Sequence, residues 1–393
     1  MEMGFSLAAG LQTQHKMKPD YDIAIAGGGL AGLSSAILLA KQGYQVILFE
    51  KEEYPFHKVC GEYVSLESWK FLENLGLPLS QMNLPIIKRL LVTSPSGKEL
   101  HHQLDLGGFG ISRYKLDAAL AEIAKANGVD VCAGTKVTDV LWKQDHFNIE
   151  SNGGNTKATV VIGSFGKRSN LDVKWKRDFV LTKPNKLNNY IAVKYHVQTN
   201  WPKDLIALHN FKNGYCGISA IEEDKYCLCY LTTAKNLSRT GNSIQQMEEA
   251  ILFQNPQLKK IFSSSTFLYS SPVTISQISF ERKELVKEHV LFTGDAAGMI
   301  TPLCGNGMSM ALHAGKLLSE AVGLFLQGAS TRLEMEQQYT IHWVHFFSKR
   351  LAMGRRIQQL FGHPVTTSVF LSFIRPFPAL RNRLVKATHG SEF

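Results

Sequence analysis

Residues 22–43 read DIAIAGGGLAGLSSAILLAKQG, and this stretch decides the fold. The segment DIAIAGG (22–28) is a short apolar run that predicts a buried strand. LAGLSSAILLAKQG (30–43) predicts a helix with one apolar face and many small residues, and Gly43 suits its C-terminal end. The next apolar run, QVILFEK (45–51), predicts a second strand. The order strand, glycine-rich turn, helix, strand is typical of a dinucleotide-binding α/β domain.

The turn itself has the GxGxxG spacing through Gly27, Gly29 and Gly32. Glycines at these positions permit a tight turn, close approach of the backbone to a pyrophosphate, and close packing of the helix on the strand. The helix N-terminus adds N–H donors and a positive dipole that favour phosphates. Glu50, at the end of the second strand, can accept hydrogen bonds from a ribose. Together these features favour a dinucleotide site over a purely structural glycine turn.

The composition is that of a globular protein. The chain has 393 residues, of which 44% are hydrophobic and 19% are charged, enough for a substantial core and two subdomains around one site. No apolar run reaches the ~18 residues of a membrane-spanning helix. Residues 1–20 have no basic segment before their apolar patch, so we expect a flexible tail and not a signal peptide. The six cysteines show no CxxC spacing, so we expect a reducing, cytoplasmic location and no metal site.

The C-terminal part of the chain is basic and aromatic. The net charge is +10, and residues 341–393 contain eight Lys and Arg residues against one Glu. This pattern is typical of a nucleic-acid surface, an anionic membrane surface, or an ordinary helical layer with a charged outer face. No nucleic-acid-binding motif is present, so we expect no nucleic-acid partner. A peripheral membrane contact and an ordinary helical layer both stay open, and the sequence does not indicate an oligomeric state.

A second glycine-rich segment lies far downstream, at GDAAG (294–298) and at residues 305–308. Asp295 ends a buried strand, where its carboxylate can bond a polyol hydroxyl. Residues 305–308 open a helix, so their backbone N–H groups can face an electron-rich ring. A nicotinamide enzyme needs no second site so far downstream, whereas FAD lies extended across its domain and does. The two segments therefore predict FAD as the cofactor.

Five motifs together support a family resemblance: GGGLAG, Glu50, PFHKVCG, ISRYKLD and GDAAGMITPLCGNG. Over most of its length, from residue 20 to residue 330, the chain resembles the flavoprotein superfamily that includes single-component aromatic hydroxylases, flavin-dependent halogenases and geranylgeranyl reductases. KVCG (58–61), and GDAAG ending in glycine, resemble the geranylgeranyl-reductase-like branch. The resemblance implies an α/β fold, with a Rossmann-like FAD-binding domain, an inserted, mostly antiparallel β-sheet substrate domain and a helical C-terminal region.

The hydrophobic patterns set the expected boundaries of these parts. The FAD-binding domain would comprise 21–174 and 286–330, because both stretches contain buried strands followed by helices. Between them, residues 175–285 alternate apolar and polar and predict antiparallel strands, which would form a substrate-binding roof over the flavin. The remainder, 331–393, predicts helices.

The resemblance also assigns cofactor contacts. Arg113 would contact FAD, Val137 would lie near the adenine, and Asp295 would bind the ribityl chain or the pyrophosphate. The full set of expected FAD-binding residues is Gly27, Gly29, Leu30, Ala31, Gly32, Glu50, Lys51, Lys58, Gly61, Arg113, Val137, Gly163, Asp295, Gly305, Asn306, Gly307 and Met308.

One superfamily fingerprint is changed. Where the superfamily usually has a sequence resembling ADGxxS, this chain has GSFGKRS (163–169), so Phe165 stands at the position of the aspartate. The hydroxylase use of NAD(P)H therefore does not transfer directly. The chain has neither a halogenase-like WxWxIP segment nor a second GxGxxG, so NAD(P)H would bind transiently as the reductant or electrons would come from a partner. Lys167 and Arg168 could meet phosphate or be solvated.

Cys60 is the expected catalytic residue. By resemblance it lies near the reactive ring of the flavin, where its thiol could donate a proton or simply pack. Cys304 is the other thiol expected near the ring, and it is more typical of a small turn residue. The histidines show no metal-ligand spacing, and His101 and His102 are expected to form a surface pair.

These patterns predict an FAD-dependent oxidoreductase that acts on an apolar substrate, such as an isoprenoid, a long chain or an aromatic secondary metabolite. The reduced flavin would pass a hydride to a C=C bond. The alternative is a flavin monooxygenase that hydroxylates an aromatic or lipid-like substrate with O₂. A further alternative is a flavin electron-transfer protein at a membrane surface, which the basic, aromatic C-terminal region suggests.

Overall fold

The structure of the protein is a computed structural model that describes residues 19–183, 185 and 188–393. The expected tail, 1–20, therefore lies almost entirely outside the described residues. Within them the chain forms two β-sheets, of eight and nine strands, together with helices. The α/β fold class that the sequence predicts is confirmed.

The first sheet forms around the strand that precedes the glycine turn. β1 (Tyr21–Ala26) is mostly apolar and pairs in parallel with β2 (Val46–Phe49) along one edge and with β9 (Gly154–Gly163) along the other. The other strands of this sheet are β6 (Asp130–Cys132), β7 (Val137–Lys143), β8 (His146–Ser151), β16 (Val286–Lys287) and β17 (Val290–Phe292). The order across the sheet is β16–β17–β9–β1–β2–β6, and β8 joins β7 to β9.

Small residues let two helices of this domain approach closely. α1 (Leu30–Lys41) follows the glycine turn and packs against α9 (Gly307–Leu326). A Cβ on Gly315 would lie 2.5 Å from Ser34 Oγ and 2.9 Å from the Ala31 carbonyl oxygen. The other helices before α9 are α2 (Trp69–Leu75), α3 (Arg113–Ala126), α4 (Asn170–Lys174), α5 (Asp178–Leu181), α6 (Ala234–Ser238), α7 (Ile244–Ala250) and α8 (Pro256–Ser264).

The second sheet contains the strands that the sequence predicts within 175–285. These strands are β10 (Tyr190–Gln198), β11 (Leu205–Phe211), β12 (Gly214–Ala220), β13 (Tyr226–Thr233), β14 (Thr266–Phe267) and β15 (Val273–Ile278). They pair antiparallel with one another, as expected from their alternating patterns.

The second sheet also includes residues that the sequence analysis assigned to the FAD-binding domain. β3 (Tyr63–Ser65), β4 (Ile86–Thr93) and β5 (Glu99–Gly110) extend it beyond β11, and β4 runs parallel to β11. The predicted FAD-binding range 21–174 thus contributes strands to both sheets. A local pattern predicts a strand but not its partner, because the partner is set by contacts distant in sequence. The domain boundaries stay a prediction.

The C-terminal region is helical, as expected for 331–393. Its helices are α10 (Arg332–Leu360), α11 (Pro364–Ile374) and α12 (Pro378–Lys386). Trp343 and Phe347 of α10 pack into the core around the first sheet, whereas Phe373 and Phe377 are exposed. Among the described residues, no helix combines the length and the apolar character needed to cross a membrane.

Candidate FAD and substrate site

The glycine turn after β1 is shaped by contacts that only glycine allows. Gly27 has a φ of +113°, and a Cβ there would lie 2.6 Å from the backbone of Ser164 and Phe165. A Cβ on Gly32 would lie 2.1 Å from the Gly27 carbonyl oxygen. Ser164 Oγ donates a hydrogen bond to that same oxygen at 2.6 Å. The serine of the altered fingerprint therefore still supports the turn, although Phe165 occupies the position of the aspartate.

Two cations lie beside the N-terminus of α1. Gly29 is the N-cap of this helix, and a Cβ on it would meet Arg113 Nη2 at 3.6 Å and Lys58 Nζ at 3.7 Å. Asp117 holds both cations, since Arg113 makes a bidentate pair with it at 2.6 Å and Lys58 lies 3.2 Å away. Burial opposes ionisation, but the two cations keep the pKa of Asp117 below its usual value. The helix N-terminus and two positive charges converge in a way that fits a diphosphate.

Glu50 lies on the other side of the turn. Its carboxylate is buried, accepts a hydrogen bond from the Gly28 N–H at 2.9 Å and lies 3.5 Å from Lys58 Nζ. The position immediately after β2 is where a ribose acceptor is expected. Lys51 instead projects toward solvent and pairs with Glu52 at 3.3 Å.

Several of the expected cofactor residues lie in the core. A Cβ on Gly163 would lie 2.7 Å from the Phe292 ring, so glycine is needed there for packing. Four others have buried side chains, namely Leu30, Ala31, Val137 and Met308. Contacts that these positions make with a cofactor would therefore come from the backbone.

Asp295 lies in a short turn that follows β17. Its backbone carbonyl accepts a hydrogen bond from Lys283 Nζ at 2.8 Å, and the same ammonium donates to the Lys167 carbonyl at 2.8 Å. Burial lowers the pKa of Lys283 to about 8. Lys283 thus ties the Asp295 turn to the 163–169 loop. The Asp295 carboxylate makes no hydrogen bond with any described residue, so it is available to a bound hydroxyl.

Residues 305–308 form the turn into α9. Gly305 has a φ of +65°, and a Cβ there would lie 3.2 Å from the Tyr63 ring. Asn306 is the N-cap of α9, and its Nδ2 donates to the Thr388 carbonyl at 2.9 Å. Its Oδ1 is buried and has no hydrogen-bond partner in the described part of the chain. This unpaired acceptor beside a helix N-terminus fits a ring that offers N–H donors and carbonyl oxygens, as isoalloxazine does.

The KVCG segment, 58–61, is fixed through its backbone. Each of its four carbonyl oxygens accepts a hydrogen bond from a distant side chain: Lys194 to Lys58 at 3.1 Å, Lys167 to Val59 at 3.0 Å, Cys227 to Cys60 at 3.2 Å and Ser219 to Gly61 at 3.1 Å. These donors come from the second sheet and from the 163–169 loop. Lys167 therefore has a structural partner, whereas Arg168 is exposed.

Glu62, directly after this segment, is the centre of a buried polar network. Its side chain is fully buried, and it accepts hydrogen bonds from the Arg113 N–H at 2.8 Å, Lys194 Nζ at 2.5 Å and His196 Nε2 at 2.5 Å. Burial alone would raise its pKa, but Lys194 and His196 lower the pKa of Glu62 to about 2. The carboxylate is therefore ionised and balances the charge of Lys194 in the core.

The network continues toward the surface. Nδ1 of His196 lies 2.5 Å from the Tyr269 hydroxyl, which lies 3.1 Å from Nδ1 of His57. Burial, followed by the charge of Lys194, lowers the pKa of the half-buried His57 to about 4. A continuous chain of hydrogen-bonding groups thus links the buried Glu62 to a neutral histidine near the surface.

Part of this network has the composition of a metal site. Ligand atoms of Glu62, His196 and Cys227 lie within 4.8 Å of one another. The expectation of no metal site relied on spacing along the chain, which does not reveal a cluster of this kind. Lys194 Nζ, 2.5 Å from Glu62 Oε1, already supplies a cation to the carboxylate. Because Lys194 already balances the charge of Glu62, a buried ion pair explains this cluster better than a metal site.

A cavity of about 140 Å³ lies between the second sheet, the 302–305 turn and the C-terminal helices. Its walls are aliphatic and aromatic side chains, contributed by the sheet (Leu90, Val92, Leu100, Leu104, Ile206, Leu208) and by the helices (Ile357, Phe361, Phe370, Leu371, Ile374, Leu384, Val385). Cys304 and Gly305 form the wall on the side of α9. The C-terminal helices and the second sheet therefore enclose this cavity together.

At this end of the site the strands divide their apolar residues between the cavity and the core, and one expectation, the surface position of His102, is corrected. Leu208 lines the cavity, but other apolar residues of the second sheet, such as Val193 and Ile218, lie in a separate core. His102 was expected on the surface beside His101, yet it lines the cavity, where burial lowers its pKa. Alternate residues of a strand face opposite sides, and the covering helices are distant in sequence, so no local signal separates these positions.

Sequence reasoning missed Lys194, His196 and Tyr269. Lys194 and His196 are two positions apart in YIAVKYHVQ, so they share one face of β10. Two basic side chains in an otherwise apolar strand were the available signal. Tyr269 has no comparable signal, because its partners become neighbours only through the pairing of the second sheet.

Comparison with known proteins identifies the family. Residues 20–340 match the FAD binding domain family. The chain is 25% identical over 390 residues to conditioned medium factor receptor 1 of Dictyostelium discoideum, covering 90% of this chain and 73% of that protein. It is 23% identical over 350 residues to a digeranylgeranylglycerophospholipid reductase of Methanococcus vannielii, covering 83% of each.

Solved structures share the fold. The geranylgeranyl bacteriochlorophyll reductase-like protein of Thermoplasma acidophilum has a TM-score of 0.78 at 18% identity, over 95% of this chain and 96% of that one. The flavin-dependent brominase Bmp2 has a TM-score of 0.76 at 19% identity, over 94% and 93% of the two chains. The matched region contains the glycine turn, the KVCG segment and the turn into α9, whose residues fit FAD. The chain therefore belongs to the FAD binding domain family and is an FAD-dependent oxidoreductase.

Proposed function

We propose that the protein reduces C=C bonds in an apolar, isoprenoid-like chain that has an anionic headgroup. The observation that supports this most directly is the cavity of about 140 Å³, whose walls are mainly aliphatic and aromatic. A hydrocarbon chain gains about 0.8 kcal/mol for each CH₂ group that it buries there. Gly305, the first of the residues 305–308 that are expected on the isoalloxazine side, forms part of one wall, so a bound chain would lie close to the ring.

The few polar groups of the cavity indicate the headgroup. His102, Arg381, Thr388 and His389 all line it. Nε of Arg381 is buried and has no hydrogen-bond partner among the described residues. A guanidinium beside two imidazoles and a hydroxyl suits a phosphate ester. The similarity to a reductase whose name specifies a geranylgeranyl-bearing phospholipid supports the same substrate class.

Reduction of a C=C bond requires a hydride and a proton. FAD in its reduced form supplies the hydride when it is bound. We assign the proton to the thiol of Cys60, because by resemblance it lies near the reactive ring of the flavin. Its sulfur accepts a hydrogen bond from the Glu62 N–H at 3.5 Å, which fixes the position of the thiol.

Cys304 is the less suitable donor, although it lines the cavity. Burial raises the pKa of its thiol to about 11. Its partner is the Thr301 hydroxyl at 3.4 Å, and no cation among the described residues contributes to that pKa. A thiolate at this position would be poorly stabilised, so we assign Cys304 to packing at the cavity wall.

The reaction is tested with purified protein whose chromophore is released by heat and identified as FAD. The flavin is reduced without oxygen, by NAD(P)H or by dithionite, and then mixed with a detergent-dispersed geranylgeranyl glycerophosphate. We expect reoxidation of the flavin and a product that has gained two hydrogens for each reduced double bond. In a parallel reaction exposed to air, a product that contains an oxygen atom from O₂ would instead identify a monooxygenase. NAD(P)H is proposed as a transient reductant, because the chain has a single GxGxxG turn.

Cys60→Ala tests the proton donor. Loss of a general acid lowers a rate about 100-fold or more, so we expect that fall in the rate of reduction, with FAD content unchanged. Cys304→Ala is the matched control, and it should alter the KM for the chain more than kcat. Full activity in both Cys60→Ala and Cys60→Ser, with FAD retained, would show that this thiol only packs.

A further inference from the structure

We propose that α11 and the first part of α12 dock on an anionic lipid membrane, so that an apolar substrate reaches the cavity without crossing water. The identity of the substrate rests on the proposed function, whereas the docking rests on the surface itself. This docking surface consists of four exposed apolar residues and two exposed arginines: Val365, Val369, Phe373, Phe377, Arg375 and Arg383.

The outward face of α11 is apolar. Val365, Val369 and Phe373 are spaced by four residues, so they lie on one side of the helix, and they are 68%, 62% and 61% exposed. Phe377 follows the helix, is 50% exposed, and its ring centroid lies 5.8 Å from that of Phe373. These side chains form one stripe, unlike the scattered apolar residues that any protein surface contains.

The inward face of the same helix is also apolar. Leu371 and Ile374 are 3% and 5% exposed, and together with Phe370 they line the cavity. The helix sequence, PVTTSVFLSFI, contains no charged residue. A helix that has apolar side chains on two opposite faces and carries no charge suits a position between a core and lipid. The exposed outward stripe shows that α11 is not within a core, so lipid is the medium that suits it.

The segment that carries the stripe has a net positive charge. Residues 364–393 contain four Lys and Arg residues against one Glu. Arg375 and Arg383 are exposed and form no salt bridge with a described residue, while Lys386 pairs with Asp105 at 3.2 Å. Exposed cations next to aromatic side chains complement negative lipid headgroups above an acyl layer. This complementarity identifies an anionic membrane, rather than a neutral apolar surface, as the partner.

The docking surface and the cavity are continuous. Arg381 lines the cavity, and its Nη1 donates a hydrogen bond to the carbonyl of Arg375 on the docking surface. The 11 residues of α11 span about 16 Å, roughly half of the ~30 Å hydrocarbon core of a bilayer. The helix therefore lies along the membrane surface, with the cavity on its inner side and lipid on its outer side.

Vesicle flotation of the full chain tests this docking. Vesicles of phosphatidylcholine alone are compared with vesicles made of three parts phosphatidylcholine and one part phosphatidylglycerol, and we expect binding to the latter. Arg375→Gln combined with Arg383→Gln should weaken that binding about 30-fold, since each basic residue near an anionic surface contributes about a factor of five. Phe373→Ser combined with Phe377→Ser should weaken it about tenfold or more, because two rings no longer enter the acyl layer.

Matched controls make the same kinds of change elsewhere. Lys259→Gln combined with Lys260→Gln removes two exposed charges from α8, and Leu181→Ser removes an apolar side chain that is 65% exposed. Both controls should bind vesicles as the wild type does. Wild-type flotation of either docking variant would overturn the proposal. A wild-type dimer in lipid-free buffer that Phe373→Ser with Phe377→Ser converts to monomer would overturn it too, because a second copy would then cover the stripe.

A second measurement separates the docking from the proposed reaction. Turnover of a detergent-dispersed substrate needs no membrane, so the docking variants should retain it and lose turnover of substrate embedded in anionic vesicles. If the wild type floats but reduces no C=C bond in either form, the reductase proposal fails and the docking stands. If it reduces the dispersed substrate but does not float, the docking proposal fails alone.

Discussion

The two ends of the candidate site, the glycine turn proposed to hold the nucleotide and the cavity proposed to hold the substrate, are built in different ways. At the nucleotide end, backbone contacts decide which residue is allowed, as in the 2.1 Å that would separate a Cβ on Gly32 from the Gly27 carbonyl oxygen. At the substrate end, a cavity of about 140 Å³ is enclosed by side chains that lie as far apart in the chain as Tyr63 and His389. The first end permits one residue type at a position, whereas the second depends on volume and hydrophobicity, which many residues supply.

This difference shows where specificity resides. This chain is 23% identical to a phospholipid reductase and 19% identical to a brominase, although the names of those two proteins describe different reactions. A glycine turn that binds a cofactor is compatible with that diversity, because it does not contact the substrate. Differences in substrate should therefore be sought in the C-terminal helices and in the strands that they cover.

Gly32→Ala is the sharpest test of the nucleotide end, and we expect it to have the largest effect. The added Cβ would overlap the Gly27 carbonyl oxygen and approach Ser164 Oγ at 2.5 Å, so α1 must move away from β1. We expect a loss of more than about 4 kcal/mol in the free energy of unfolding and purification without flavin. Flavin absorbance and thermal unfolding of the purified protein measure both effects.

Gly217→Ala is the matched control for that substitution. A Cβ on Gly217 would make an ordinary contact, with its nearest neighbour at 3.7 Å. The free energy of unfolding should change by about 0.5 kcal/mol or less. If the two alanine variants bind FAD equally well, the backbone at the glycine turn is not the constraint that we describe.

Glu62→Gln tests the buried polar network that has Glu62 at its centre. The substitution leaves the buried Lys194 without its counter-charge and His196 without its acceptor, and losing one partner of a buried pair costs about 3–5 kcal/mol. The exposed carboxylate of Glu223, which pairs with Lys115 and Lys225, provides the control, because Glu223→Gln should cost about 1 kcal/mol or less. Urea unfolding near neutral pH compares the two, and equal costs would contradict a buried ionic centre.

The same contrast separates what the sequence could predict from what it could not. The strand expected at 22–28 and the helix expected at 30–43 are present as β1 and α1, because each follows from a local apolar pattern. His102 lines the cavity only because helices from the far end of the chain cover it. The pair formed by Lys194 and Glu62 spans 132 residues, so it depends on strand pairing that local patterns do not contain.

Leu208→Phe tests whether the cavity holds the substrate chain. Leu208 projects from β11 into the cavity, and a larger side chain there shortens the space available to a bound chain. One extra group in an apolar pocket changes kcat/KM by about tenfold or more, so we expect that loss for the longest chains and less for short ones. FAD content should not change. Leu181→Phe, at an exposed position, is the control, and identical chain-length profiles in both variants would show that this cavity does not hold the substrate.

His313→Phe tests the smallest effect, a pH dependence of stability in α9. His313 stacks on Phe393 with ring centroids 4.3 Å apart, and its buried Nδ1 has no hydrogen-bond partner among the described residues. Burial lowers its pKa from 6.5 to about 4, so the unfolded chain takes up a proton first as the pH falls. The neutral imidazole therefore contributes stability above pH 6.5 that is lost between pH 6.5 and about 4, with a slope of up to about 1.4 kcal/mol per pH unit.

A phenylalanine at position 313 cannot take up this proton and suits the aromatic neighbours Phe346 and Phe347. We therefore expect the wild type to lose more stability than His313→Phe between about pH 7 and about pH 5. The difference in the free energy of unfolding should not exceed about 1.4 kcal/mol per pH unit, the slope for one proton. Urea midpoints at the two pH values measure the difference, and His101→Phe controls for an added aromatic side chain at an exposed site. Since other buried histidines titrate in both proteins, their contributions cancel in this comparison. If the stability of the two proteins changes equally with pH, His313 has the same pKa in the folded and the unfolded chain, and the prediction is wrong.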